Sequence, residues 1–268
     1  MLQHEISFPP DNTRIPRICK TRYPLVLRTS RLISEGVMAG RKTKQNQPET
    51  VADSQRIARL VPTQKRSRER FERILACAIK VMAEKGSDAF RMSDIVERTG
   101  IAFGSLYQYF PDKTAIIGTL AERYNAIGHD CVRKELSALK TLGDLHDVLC
   151  RITDSYYQFF LDEPAVRDIW QATQADRALQ KLEQEDGAFL TGLLVDALRA
   201  IAPHLSKASL SDFSQTMMVL MSAAVRHAIT LPPREGRRIL HLFKGMLPHD
   251  LGVAATRTKH KSRRLPVR

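Results

Sequence analysis

Apolar side chains recur every three or four residues between Thr63 and Gly86, with charged residues between them. The apolar positions of this segment are Phe71, Ile74, Leu75, Ala78, Ile79 and Met82. Spacing of this kind places the apolar residues on one face of a helix. We therefore predict a long amphipathic helix here, with Gly86 as its C-terminal cap.

Two short helical patterns and a glycine come next. A second helix is predicted over roughly Met92 to Thr99, and a third over Phe103 to Tyr109, which stops before Pro111. Gly100 lies between them and tolerates the positive φ of a tight turn. Asp112 can cap a fourth helix that continues into the rest of the chain. Two short helices joined by such a turn and supported by a preceding helix are the arrangement of a helix-turn-helix, which places its second helix in the major groove of DNA.

The chain beyond about residue 140 keeps a period near 3.6, with no alternating pattern typical of strands. Breaks are expected at Pro164, Pro203, the Pro232-Pro233 pair and Pro248. The predicted helices cover 144–161, 164–171, 174–201, 207–231 and 235–247. The fold class predicted from the whole pattern is all-α.

The net charge of +13 comes from the two ends of the chain, not from its middle. Residues 1–70 hold 15 basic and 6 acidic side chains, residues 251–268 hold 6 and 0, and the remainder holds 21 and 23. Basic segments with few apolar residues are usually solvated. We expect a disordered basic arm at 1–62 and a disordered basic tail at 251–268. A translation start at Met38 instead of Met1 is left open.

Four cysteines, Cys19, Cys77, Cys131 and Cys150, show neither a CxxC spacing nor a His-Cys ligand spacing. Buried thiols in a reduced cytoplasm explain them most simply. No run of 18 apolar residues and no apolar leader occurs, so neither a membrane span nor a signal peptide is predicted. We expect a cytoplasmic, nucleoid-associated protein that uses no metal and no cofactor.

The run GIAFGSLYQYFPDK, from Gly100 to Lys113, carries a specific resemblance, together with ILA at 74–76 and AEKG at 83–86. Over about residues 65–120 the sequence resembles the DNA-binding domain of the TetR family. This resemblance implies a homeodomain-like helix-turn-helix domain at 63–118. It also implies a helical ligand-binding and dimerisation domain at 119–250.

The resemblance implies DNA contacts on and around the third predicted helix. Leu106 and Phe110 share its inward face, which leaves the other side chains to face outward. Gln108 suits an adenine edge and Phe103 a thymine methyl, while tyrosine hydroxyls suit phosphates. The positions expected at the operator are Phe103, Gly104, Ser105, Tyr107, Gln108, Tyr109 and Lys113. The alternative is that both tyrosines pack against neighbours and that Lys113 is a solvated charge.

Position 91 departs from the pattern, since many relatives carry threonine there as a helix cap and phosphate contact. Arg91 cannot cap in that way, but its guanidinium could replace the phosphate contact. Ser93 could provide a weaker local substitute.

The segment from Glu163 to Leu179 resembles the sensing domain of one TetR subgroup. We expect aromatic and polar side chains to line a pocket between helices there. The candidates are His146, Tyr156, Tyr157, Phe160, Trp170, Gln174 and Phe189. The alternative is that most of them are core or dimer-contact residues.

The last two predicted helices carry apolar stripes, and in the family the corresponding pair forms a four-helix dimer interface. The candidate interface residues are Leu210, Phe213, Met217, Leu220, Met221, Ala224, Leu240, Phe243 and Leu247. A symmetric dimer implies a near-palindromic operator with half-sites about one helical turn, or a multiple, apart. The alternative is that the stripes complete the core of one subunit.

These expectations favour a ligand-responsive repressor that binds a double-stranded operator as a homodimer and answers to an unknown small-molecule effector. One rival is a DNA-organising protein without sequence preference. The other rival is an enzyme, against which the sequence shows no HExxH pair, no phosphate-binding glycine loop and no nucleophile elbow.

Overall fold

A computed structural model describes residues 64–252, which form nine α-helices and a short 3₁₀ turn at Leu142–Asp144. The predicted arm at 1–62, most of the predicted tail, Cys19 and Met38 lie outside the described residues. The helices are α1 (Lys65–Ala89), α2 (Met92–Thr99), α3 (Phe103–Tyr109), α4 (Lys113–Leu136), α5 (Leu145–Asp162), α6 (Ala165–Ala175), α7 (Arg177–Ile201), α8 (Lys207–Ala228) and α9 (Pro233–Gly245). No strand occurs over 64–252, and the all-α prediction is confirmed.

The turns between the first four helices follow the local chemistry predicted from the sequence. Gly86 interrupts the end of α1 with a φ of 79°, so that the helix bends there and continues to Ala89. Gly100 ends α2 in the left-handed region, at φ 67° and ψ 13°, and its N–H donates to the Val96 carbonyl at 2.9 Å. Asp112 caps α4, because its carboxylate accepts a hydrogen bond from the backbone N–H of Ala115 at 2.8 Å.

The later helices differ from the prediction chiefly where α6 gives way to α7. The helix predicted at 164–171 continues to Ala175, and the next begins at Arg177 instead of Gln174. Asp176 causes this boundary, since its backbone is extended and its carboxylate accepts from the N–H of Ala178 at 2.8 Å. A capping residue, not a proline, separates these two helices.

Two hydrophobic clusters hold the described chain together. The first contains the buried faces of α1 to α4 and continues into α5, α6 and α8 through residues such as Phe159, Ile169 and Val225. The second joins the start of α5 to α7, α8 and α9, around Leu149, Leu194 and Leu210. The helix-turn-helix segment therefore shares its core with the helices that follow it. None of the described helices has the length and apolar character needed to cross a bilayer.

Candidate nucleic-acid interface and internal cavity

Helix α3 is held in place by one wholly buried face. Leu106 and Phe110 are both 0% exposed, and the Phe110 ring stacks on Phe71 of α1 with centroids 4.9 Å apart. On the other side of the short helix, Phe103 and Tyr107 are about half exposed, and their rings stack on each other. Gly104 and Gln108 are exposed beside them. The packing thus presents four outward positions of a rigidly held helix to solvent.

Tyr109 lies on the inner side of α3. Its ring is 4% exposed and meets Phe71 edge-on, and its hydroxyl is 2.6 Å from the Ser67 hydroxyl of α1. Because both the ring and the hydroxyl are already engaged, Tyr109 anchors α3 to α1. The packing interpretation weighed above applies to Tyr109 but not to Tyr107, and we leave Tyr109 out of the proposed DNA-contacting set.

A shallow cleft of about 290 Å³ adjoins the start of α3 and was not anticipated from the sequence. Arg70 and Arg73 of α1 line it together with residues 100–102 and Ser105. Arg70 Nη1 donates to Ser105 Oγ at 3.2 Å, so this hydroxyl already has a protein partner. The sequence signal was the repetition of arginine at 66, 70 and 73, which shares one face of α1. Two guanidinium groups beside the start of α3 create a cationic site suited to phosphate.

Helix α2 is tied to α1 by charged side chains. Lys85 Nζ lies 2.7 Å from Asp94 Oδ1, while the backbone N–H of Arg91 donates to Asp94 Oδ2 at 2.9 Å. The hydrogen bond from Lys85, followed by that from Arg91, lowers the pKa of Asp94. Asp94 thereby does the capping that the Arg91 side chain cannot do, and the sequence analysis missed this role. Arg91 and Ser93 are exposed at the start of α2.

Helix α4 connects α3 with the C-terminal helices. Lys113, its first residue, is exposed. Thr114 donates to Asp176 Oδ2 at 3.1 Å, at the junction of α6 and α7. Further along, Arg123 makes a two-pronged bond to Glu72 of α1, at 2.6 and 2.5 Å. A displacement of α4 would therefore be felt at both ends of the described chain.

A cavity of about 980 Å³ lies among α4, α5, α6, α7 and α8. Much of its wall is apolar, with Phe159, Ile169 and Met221 among the lining residues. Three of the residues predicted for a pocket line it as well, namely Tyr156, Phe160 and Trp170. A volume of this size suits a drug-sized organic molecule.

The other four predicted pocket residues lie outside this lining. Tyr157 is buried and approaches α9 near Gly236. Phe189 is 40% exposed and stacks on His129, with centroids 4.2 Å apart. His146 stacks on His249, and the Gln174 amide contacts Thr173 Oγ1 at 3.3 Å. We leave these four residues out of the proposed pocket.

Charged residues missed by the sequence analysis also line the cavity, in pairs. Arg226 of α8 bonds to Glu183 of α7, and its guanidinium carbon lies 4.6 Å from the centre of the Trp170 ring. His129 of α4 is 2.6 Å from Asp186 of α7. No local motif marks these residues, because the partners lie 43 and 57 positions apart.

Helices α8 and α9 divide their apolar residues between the core and the outside. Five of the nine predicted interface residues are buried within the subunit: Leu210, Phe213, Met221, Leu240 and Leu247. Met217, Ala224 and Phe243 pack against the core from its margin. The core interpretation thus applies to most of the predicted stripe. An exposed apolar face, which we call the α8–α9 face, consists of Val219, Leu220, Leu242 and Met246.

Two protein-family models match the chain. One, described as bacterial regulatory proteins of the tetR family, matches residues 74–120. The other, described as a tetracyclin repressor-like C-terminal domain, matches residues 143–254. The first match covers the helix-turn-helix with the start of α4, and the second covers the helices that carry most of the cavity wall.

Curated relatives and solved structures agree with these matches. The chain is 30% identical over 144 residues to the uncharacterized HTH-type transcriptional regulator YvdT of Bacillus subtilis, which covers 52% of this chain and 71% of the relative. It is 23% identical over 167 residues to the HTH-type transcriptional regulator CymR of Pseudomonas putida, covering 51% and 79%. A TetR-family regulator from Pectobacterium atrosepticum has the same fold, with a TM-score of 0.53, 18% identity and coverage of 69% and 93%.

Proposed function

This chain belongs to the TetR family and is a helix-turn-helix transcriptional regulator, and from that premise we propose that it is a repressor, released by a small molecule, that grips a near-palindromic operator as a homodimer. The observation that carries the proposal is the geometry of α3. Its inner face is locked into the core, while Phe103, Tyr107 and Gln108 remain exposed on the other side. A helix held in this way can present side chains to base edges without losing its own packing.

Individual contacts follow from the chemistry of the exposed groups. Gln108 pairs its amide with an adenine edge, and Phe103 contacts a thymine methyl. Gly104 allows the DNA backbone to approach closely, and the Tyr107 hydroxyl donates to a phosphate. Ser105 reaches DNA only after Arg70 releases its hydroxyl.

Phosphate contacts surround these base contacts. Arg70 and Arg73 lie beside the start of α3, while Arg91 and Ser93 are exposed at the start of α2. Lys113 adds a positive charge at the start of α4. Such contacts fix the position of the protein on the duplex without reading its sequence.

The α8–α9 face is the surface by which a second copy of the chain associates. Its side chains are 46 to 80% exposed in the single chain, a degree of exposure unusual for so many neighbouring apolar groups. Pairing through the same face on both subunits is isologous and gives a two-fold axis. Two α3 helices then meet two inverted half-sites about one helical turn, or a multiple, apart.

The cavity is the effector site, and α4 is the element through which occupancy reaches the DNA. Residues 121–135 of α4 line the cavity, and the same helix begins directly after α3. An effector that shifts α4 changes the separation of the two α3 helices. The coupling free energy in such systems is typically about 1 to 3 kcal/mol, so effector and operator weaken each other by about 5- to 150-fold.

We extend the proposal to the organisation of the whole chain: a DNA-binding domain over 63–118 and an effector and dimerisation domain over 119–250. The protein acts on the nucleoid in the cytoplasm, as a regulator without catalysis. The family assignment supports these points, because its members regulate transcription.

Selection of bound sequences from a random duplex pool tests the core of the proposal. We expect enrichment of one inverted repeat, and a loss of discrimination of about tenfold or more in Gln108→Ala. Gln171→Ala is the matched control, since Gln171 is an exposed glutamine of α6. A DNA-organising protein without sequence preference would instead bind selected and random duplexes equally at fixed salt.

A further inference from the structure

Two buried hydrogen-bond donors in residues that line the cavity have no acceptor. Trp170 Nε1 and Arg226 Nε are inaccessible to solvent and make no hydrogen bond within the described residues. Both nitrogens can only donate. Leaving a buried donor unsatisfied carries a free-energy cost, so each marks a place where an acceptor belongs.

The two donors belong to one cluster. Arg226 lies over the Trp170 ring and bonds through Nη2 to Glu183, so α6, α7 and α8 meet at this point of the cavity wall. The hydroxyl of Tyr124 is also buried and without a hydrogen bond, but the nearby Glu163 carboxyl adds to the rise in its pKa that burial causes. Because Glu163 is close enough to act on Tyr124, we base nothing on that hydroxyl.

Charge in the cavity wall is already balanced by pairs. The Arg226 guanidinium faces Glu183, and His129 faces Asp186 at 2.6 Å. Glu135 accepts from Arg151 Nε at 3.0 Å. Asp196 and Lys207, which also line the cavity, are exposed. An anionic ligand would have to compete with Glu183 for Arg226, whereas a neutral acceptor needs only the Nε–H that Glu183 leaves unused.

The rest of the wall favours apolar and aromatic matter. Tyr156, Phe160 and Trp170 supply aromatic surface, and Val195 and Met221 supply aliphatic surface. Burying apolar ligand surface against them is favourable, while polar ligand groups without a partner would be penalised.

Resting on the effector role proposed for this cavity, we propose that its ligand is an uncharged, mainly apolar or aromatic molecule with an acceptor oxygen, such as a ketone, ester or ether. The oxygen accepts a hydrogen bond from Trp170 Nε1, from Arg226 Nε, or from both. The apolar body of the molecule fills the space against the aromatic wall.

Three probes of similar shape separate this class from its competitors: 2-acetylnaphthalene, 2-ethylnaphthalene and 2-naphthoate. The first carries a neutral acceptor, the second none, and the third a negative charge. We expect isothermal titration calorimetry on the full chain to show the ketone binding about tenfold tighter than the ethyl compound. A purely apolar cavity gives the opposite order, because the ketone loses its hydration without compensation.

Variants then assign the preference to the two donors. Trp170→Phe keeps an aromatic ring beneath Arg226 and removes the N–H, and Arg226→Lys keeps a positive charge near Glu183 and removes the Nε–H. Each variant is expected to lower the ratio of ketone to ethyl affinity severalfold. Phe160→Leu is the control, because it alters the apolar wall alone and should weaken both compounds while preserving the ratio. Thermal melting verifies that each variant is folded.

The outcomes separate the ligand class from the switch. Equal or tighter binding of the ethyl compound, tightest binding of naphthoate, no binding of any probe, or an unchanged ratio in both donor variants overturns the proposed class. If the ketone binds with the expected preference but operator affinity stays the same, the class stands and the proposed switch fails. The chain contains one tryptophan, so a change in its emission on ketone binding reports directly on the cavity wall.

Discussion

The cationic cleft beside α3 leads to a quantitative prediction about salt. Arg73 lines this cleft and is exposed, so Arg73→Ala removes a positive charge without opening the core. Each phosphate neutralised on B-DNA contributes about 0.9 to the slope of log affinity against log salt. A two-fold dimer contains two copies of Arg73, and the variant should therefore lower the slope by about 1.8.

The size of the effect follows from this slope. Raising the salt from about 50 to about 200 mM, a fourfold change, should reduce the affinity deficit of the variant about 12-fold, since the wild-type advantage is electrostatic. Arg70→Ala should change the slope to a similar extent, but with a smaller loss of affinity. The wild-type Arg70 must first give up its 3.2 Å bond to Ser105.

Fluorescence anisotropy with the selected duplex, at four or more salt concentrations, gives the slopes. Arg199→Ala serves as the matched control, because Arg199 is an exposed arginine in the last turn of α7. Its slope should equal that of the wild type. If Arg73→Ala and Arg199→Ala both keep the wild-type slope, the cleft does not hold a phosphate and our account of the interface around α3 is incorrect.

Three further predictions concern stability and assembly. Leu106→Ala should cost about 2 to 5 kcal/mol in urea unfolding, because Leu106 is 0% exposed in the core that holds α3; a loss under 1 kcal/mol would contradict the packing described. Leu242→Glu should give a monomer by analytical ultracentrifugation with little change in the melting temperature, since Leu242 is 61% exposed on the α8–α9 face, whereas a stable dimer would place the interface elsewhere. Asp94→Ala should cost about 1 kcal/mol near neutral pH through loss of the cap. The folded pKa of Asp94 is lowered, so its contribution is present above the unfolded value of 3.8 and is lost as the pH falls through the folded value; a deficit that persists in acid would refute this assignment.

Local signals in the sequence carried most of the helical organisation. The turn at Gly100 and the cap at Asp112 depend on residues next to the helices that they bound, and both appear as predicted. Where a distant residue decides the outcome, the sequence was insufficient. Tyr109 is drawn inward by Ser67, 42 positions away, although its phenol hydroxyl also suits a phosphate.

The α8–α9 stripe shows a second limit of periodicity. A period of 3.6 identifies an apolar face but does not say whether that face meets its own subunit or a partner. Leu210 and Leu240 pack inward, while Leu220, a member of the same predicted stripe, is 46% exposed. Only the arrangement of all the helices distinguishes them. The Arg226–Glu183 pair is invisible for the same reason, because its members meet from different helices.

The continuous core beneath α3 limits how this regulator can be re-engineered. Phe71 and Phe110 belong to the same cluster as Ile169 and Val225, and α1 packs directly against α6. A graft that exchanges only the first three helices with those of a relative would juxtapose two surfaces that never evolved together. Transplanted DNA specificity should therefore require either the few outward residues of α3 alone or the matching surface of α6 as well.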